Sequence, residues 1–161
     1  MQNKARHLQV SKSKYKDLLN YFPVPTVEVL FFNKDLKKVL LFKRNNEPLK
    51  GTYFSTGGRV AKNEILLDAA IRKAKEEAGI VVNRKKLFFG GVQDEIHKKS
   101  VFPSIGYHCI NIYFGYILNG EKIKLDRQHS LAKWFDVSDK KINPYVKNKI
   151  KNLIIAYDKI N

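Results

Sequence analysis

Only one cysteine, Cys109, stands among the 161 residues, so no internal disulfide can form. A reducing compartment such as the cytoplasm suits that composition. Long apolar runs are also missing. The richest, residues 24–32, is broken by Pro25 and Glu28 and falls far short of a membrane span. The opening MQNKARHLQV has no apolar stretch, which predicts no signal peptide. Internal repeats and low-complexity tracts are absent. Acidic residues are scarce: 15 Asp and Glu face 31 Lys and Arg, a formal net charge of +16. Such a charge suits either a nucleic-acid or anionic-surface binder or a lysine-rich solvated surface. The lysines are spread as pairs and singles, with no arginine tract or basic helix stripe, which favours the solvated surface. The field would still steer anionic small molecules toward the chain. What is present is ordinary globular material: 43% hydrophobic and 12% aromatic, which excludes a disordered chain. The length predicts one domain over residues 1–161.

Along the chain, 7–20 reads as a polar helix or arm within an N-terminal segment 1–22, ended by Pro23 and Pro25. Residues 26–33 and 38–43 read as strands joined by a turn at Asn33-Lys34-Asp35. A loop with Pro48 follows, then a short strand over 52–56 that runs into Gly57-Gly58. Asn63 is the expected N-cap of a helix over 64–78, with Leu66, Ala70, Ala74 and Ala78 as its small apolar face and Gly79 as its stop. Strands are expected over 87–92, 107–118 and 131–137, with a turn at Asn119-Gly120. Residues 143–160 carry Val146, Ile150, Leu153, Ile154 and Tyr157 at helical spacing. The sum is an α/β (α+β) sandwich: a mixed sheet with one central helix and one C-terminal helix.

The chemistry concentrates in residues 57–80, GGRVAKNEILLDAAIRKAKEEAGI. Glu76 and Glu77 lie about 100° apart around the helix axis. A hard cation such as Mg²⁺ takes few carboxylates together with carbonyls, waters and phosphate oxygens. One of these glutamates and a carbonyl from the Gly57-Gly58 turn form a plausible partial cage. On its own, the acidic pair reads as a solvated pair bonded to Arg72 and Lys73; the upstream glycines, Arg59 and Glu64 at fixed spacing turn the reading to a functional site. Arg59 beside the glycines is placed to meet a phosphate. Toward the C-terminus, Gln128-His129 precedes Trp134. A loop histidine is usually just surface, yet it is also the natural general base near neutral pH.

Gly58, Glu64, Arg72, Glu76, Glu77, Gly79 and Ile80 follow G-x5-E-x7-R-E-U-x-E-E-x-G-U, the Nudix box, where U is a bulky aliphatic residue. Lys73 stands where the pattern has a glutamate, and Ala74 where it has U. The chain most resembles the GDP-mannose mannosyl hydrolase branch of that superfamily, which also lacks the glutamate at the Lys73 position. The likeness rests on Gly57-Gly58-Arg59-Val60, on Lys43-Arg44-Asn45-Asn46-Glu47-Pro48, and on Gln128-His129 with Trp134. It runs from about Tyr21 to Trp134 in one order.

The resemblance implies a Nudix-type α/β/α sandwich and a metal-dependent hydrolase that attacks a sugar's anomeric carbon, not its diphosphate. It implies His129 as general base, with Arg44 and Arg59 neutralising the leaving group. Gly57 by its carbonyl, Glu77 and Gln128 would hold Mg²⁺, or Mn²⁺; Glu76 is an additional candidate ligand. Glu28 and Tyr107 would contact substrate, Glu95 or His97 would stand for a family histidine after Val92, and Arg72 would orient the glutamates. It also implies a homodimer acting on a small-molecule nucleotide sugar, with neither nucleic acid nor membrane as partner. Two other readings stay open: a Nudix pyrophosphohydrolase that tolerates Lys73, and a lapsed Nudix domain that binds nucleotide or RNA.

Overall fold

A computed structural model describes residues 10–124 and 129–160. In chain order the elements are α1 (Lys12–Tyr21), β1 (Val24–Phe32), β2 (Lys38–Arg44), β3 (Tyr53–Phe54), β4 (Thr56–Arg59) and α2 (Leu66–Ala78). They continue with β5 (Phe88–His97), β6 (Tyr107–Ile117), β7 (His129–Asp136) and α3 (Pro144–Ile160).

β1 is the axis of a mixed sheet. It pairs with β6 in parallel over its whole length, from Val24↔Cys109 to Phe32↔Ile117. Its other edge is shared. Thr26 to Val29 pair with β4, whereas only Phe31 and Phe32 pair with β2. β2 therefore leaves β1 and continues between β3 and β7. That fork opens one end of the sheet, and the loop between β2 and β3 sits there.

Both faces of β1 are covered, which explains its nearly unbroken apolar run. Alternation sends Val27, Val29 and Phe31 toward α2, where they pack with Ala69, Ala70, Ala74 and Ala78. Leu30 and Phe32 go the other way, into a second core with Val146, Ile150 and Leu153 of α3. The alanines let α2 lie close to the sheet. Glu28 shares the parity of Leu30 and so must enter the α3 side, where it is buried.

Several local expectations change. The stretch 52–56 is two strands, and Gly57-Gly58 lie within the second, paired with Glu28 and Val27 and not in a turn, because β3 pairs with β2 while β4 pairs with β1. Asn63 is not an N-cap: it takes a left-handed φ of 65°, and α2 begins at Leu66 after Ile65, which makes no side-chain cap bond. Glu64 precedes the helix and accepts from the Ala61 N–H at 2.9 Å instead. Leu66 lies outside the core, 41% exposed, because the buried face is set by Ala69, Ala70 and Ala74. Gly79 does end α2, with φ 68° and its N–H turned back to the carbonyls of Ala74 and Lys75. β5 runs on to His97, so Gln93, Glu95 and His97 stand on a strand paired with β6, not in a loop. No helix among the described residues is long and apolar enough to cross a membrane.

Candidate active site

A cavity of about 290 Å³ fills the fork. Gly57, Gly58 and Arg59 of β4 meet Lys73 and Glu77 of α2 on one side. Glu28 and Ser55 form part of its wall, with Glu95, His97, Tyr107 and Cys109 from the β5–β6 ladder. Arg44 and the Asn46–Leu49 loop close the β2 end, and Tyr15 of α1 reaches in from the arm.

The α2 side is built around Arg72. Its guanidinium forks onto Glu64, Nε to Oε1 at 2.6 Å and Nη2 to Oε2 at 2.8 Å. It also donates to Glu76 Oε2 at 3.1 Å and to the Arg59 carbonyl at 3.1 Å. One residue thus ties the loop, the helix and β4 together, which is the bidentate work suited to arginine. Glu77 is buried, and its Oε2 accepts from the Gly57 N–H at 2.9 Å. Lys73 Nζ lies 3.0 Å from Glu76 Oε2 and 3.6 Å from Glu77 Oε1. Burial works to raise the Glu76 carboxyl, but Lys73 and Arg72 outweigh it and hold it below the usual range. Gly57 admits no side chain: a Cβ there would strike the Val27 carbonyl and the Glu28 stem.

The β1–β5 side is a buried ionic cluster. Lys149 of α3 is fully buried and donates to both Glu28 and Glu95. Ser55 Oγ also donates to Glu28, and His97 Nε2 lies 3.6 Å from Glu95 Oε2. One ammonium cannot balance two carboxylates in a desolvated wall. Burial, only partly offset by Lys149 and reinforced by Glu95, pushes Glu28 up to about 7. Burial works to raise Glu95 as well, yet the bonds from His97 and Lys149 keep it below the ordinary range. Burial likewise raises the Tyr107 hydroxyl and lifts the Cys109 thiol to about 12, so neither is an anion near neutrality.

Of the residues expected from sequence, Gly57, Glu77, Arg44, Arg59, Glu28 and Tyr107 line this one cavity. Arg44 is fixed by its Nε donating to the Pro48 carbonyl at 2.8 Å. Arg59 stacks over the Tyr15 ring at 4.4 Å. Glu76 turns outward, engaged by Arg72 and Lys73, and is not among the lining residues. His129 stands on β7 opposite Arg44 in the ladder, and its side chain lies outside the described features. Gln128 lies outside the described residues. Sequence reasoning missed Lys149, Ser55 and Tyr15. Lys149 did leave a signal: it sits three residues after Val146 and four before Leu153, inside the apolar stripe of α3. Ser55 and Tyr15 left none.

Oxygen donors on Glu77 and the backbone of the β4 glycines fit a single hard divalent ion. No group of three His, Cys, Asp or Glu side chains that could hold a metal occurs among the described residues. A site here would therefore have to draw on backbone carbonyls, waters and substrate phosphates as well.

Comparison with known proteins agrees with this geometry. The NUDIX domain model matches residues 23–154. The chain is 35% identical over 124 residues to the low-salt glycan biosynthesis protein Agl8 of Haloferax volcanii, covering 76% of this chain and 78% of that one. It is 30% identical over 128 residues to an ADP-ribose pyrophosphatase of Methanocaldococcus jannaschii, covering 78% and 72%. The fold matches a MutT NUDIX hydrolase from Burkholderia pseudomallei with a TM-score of 0.69 at 19% identity, covering 82% and 98%. A family match over most of the chain and a 35% identical relative, with α2 packed against the β4 glycines, establish that this chain belongs to the NUDIX domain family.

Proposed function

We propose that this chain hydrolyses a nucleoside diphosphate sugar, GDP-mannose or a related GDP-hexose, at the anomeric carbon. The observation that carries the reading is the pocket's division of labour. Arg44 and Arg59 supply positive charge at one cavity that also holds Glu77, while Lys73 occupies the box position of a further glutamate. Two arginines suit a leaving diphosphate, whose charge grows as the glycosidic bond breaks. The Glu28, Glu95, His97 and Tyr107 wall offers the acceptors and donors that a hydroxylated ring needs.

In this reading water attacks the anomeric carbon and His129 takes its proton. The new C–O bond forms as the bond to the diphosphate oxygen breaks, and the nucleoside diphosphate leaves with that electron pair. Divalent cations such as Mg²⁺ or Mn²⁺ serve Nudix hydrolases generally. Here Glu77, the Gly57 carbonyl and Gln128 would hold one, and it would supply further charge neutralisation on the diphosphate. Similarity to a glycan biosynthesis protein supports a sugar-bearing substrate. Assembly as a homodimer belongs to the same reading. The similarity to an ADP-ribose pyrophosphatase favours the second reading, diphosphate cleavage to a nucleoside monophosphate and a sugar phosphate.

A product assay separates them. With Mg²⁺ and GDP-mannose, the expected products are GDP and mannose, and His129→Ala lowers the rate on the order of 10²–10⁴-fold. GMP and mannose 1-phosphate, or turnover of ADP-ribose alone to AMP and ribose 5-phosphate, would replace the first reading with the second.

A further inference from the structure

Lys73 is not a passive substitution on the outside of α2. Its ammonium lies between two carboxylates, 3.0 Å from Glu76 Oε2 and 3.6 Å from Glu77 Oε1, and it lines the cavity. Gly58 makes room for it: a Cβ there would stand 2.8 Å from Lys73 Cε and 3.2 Å from Nζ. A cation lodged between carboxylates at the edge of this cavity is the position that a divalent ion takes in an oxygen site. The remaining charges agree. Three carboxylates, Glu64, Glu76 and Glu77, face two cations, Arg72 and Lys73. With a glutamate at position 73, four would face one.

We propose that the Lys73 ammonium is a built-in cation that takes the place of a metal ion on α2, so that this chain holds one divalent ion fewer than it would with a glutamate there. The ammonium satisfies Glu76 Oε2 and Glu77 Oε1 without metal. It leaves Glu77 Oε2 and the β4 backbone carbonyls for a single ion, and it repels a second. The inference concerns cation occupancy and stands apart from which bond the enzyme breaks.

The test is a titration of the whole protein with Mn²⁺ alone, reading free Mn²⁺ by electron paramagnetic resonance. Lys73→Glu is expected to bind one more Mn²⁺ per chain than the unaltered protein. Lys73→Met, which removes the charge and adds no ligand, is expected to bind an unchanged number about tenfold more tightly. Lys75→Glu makes the same charge change at an exposed position of the same helix, and its Mn²⁺ number should not rise. Equal numbers in Lys73→Glu and the unaltered chain overturn the proposal. So does an equal gain in Lys75→Glu, which would make the effect one of net charge. If melting shows that Lys73→Glu does not fold, Lys73→Met decides: unchanged affinity overturns the proposal and tighter binding supports it.

Discussion

Two lysines, one lining this cavity and one behind its wall, each sit between two glutamates, yet they live in different media. Lys73 joins Glu76 and Glu77 on α2 with its side chain 17% exposed, and Glu76 is about half open to water. Lys149 joins Glu28 and Glu95 with no exposure at all. Near water an ion pair is screened and its partners can be exchanged, so a lysine there is a weak tie and a replaceable cation. In the sealed wall the ammonium has no substitute, because removing it strands two carboxylates in a low-dielectric interior. The same three-residue composition therefore tunes ion binding on one side of the pocket and holds the architecture together on the other.

Breaking both clusters at the lysine sharpens the contrast most. Lys149→Met should cost about 3–5 kcal/mol of unfolding free energy by leaving buried charge uncompensated. Lys73→Met should cost under about 1 kcal/mol. Urea unfolding of the two variants measures the difference, and equal losses would dissolve the distinction.

A smaller effect follows from pH. A carboxyl raised from 4.5 to about 7 keeps a proton in the fold that the unfolded chain has already released. Its contribution is greatest at or below pH 4.5 and falls as pH rises toward 7, on the order of 1–3 kcal/mol across that window. Glu28→Gln should flatten this decline, and parallel pH curves for variant and unaltered chain would count against it. Glu76 should show the reverse sign. Held below its usual range, it adds stability above the ordinary carboxylate pKa that is lost as pH falls through its folded value, and its exposure keeps the effect smallest.

Much of α2 was legible because helices and glycines write local rules. The Ala70, Ala74, Ala78 spacing and the Gly79 stop both hold. Its start was not. Asn63 and Glu64 look like a cap and a first turn, but Arg72 and the Ala61 N–H pull Glu64 into the preceding loop. The same limit hid Lys149. Helical periodicity found its neighbours Val146, Ile150 and Leu153, but a lysine within an apolar stripe reads as a break until its partners are known. Those partners come from β1 and β5, 121 and 54 positions earlier in the chain for Glu28 and Glu95.

The sequence by itself determined the box spacing, the glycine pair ahead of the helix, the apolar run of β1 and the substitution at Lys73. These depend on residues close in the chain, where backbone geometry and side-chain period are nearly fixed. Only the tertiary structure decided that β1 shares one edge between β4 and β2, that the resulting fork is the cavity, and that α3 sends a lysine into its wall. Strand pairing and burial join distant segments, so the medium around a charge, and with it what that charge does, is set by the assembled fold.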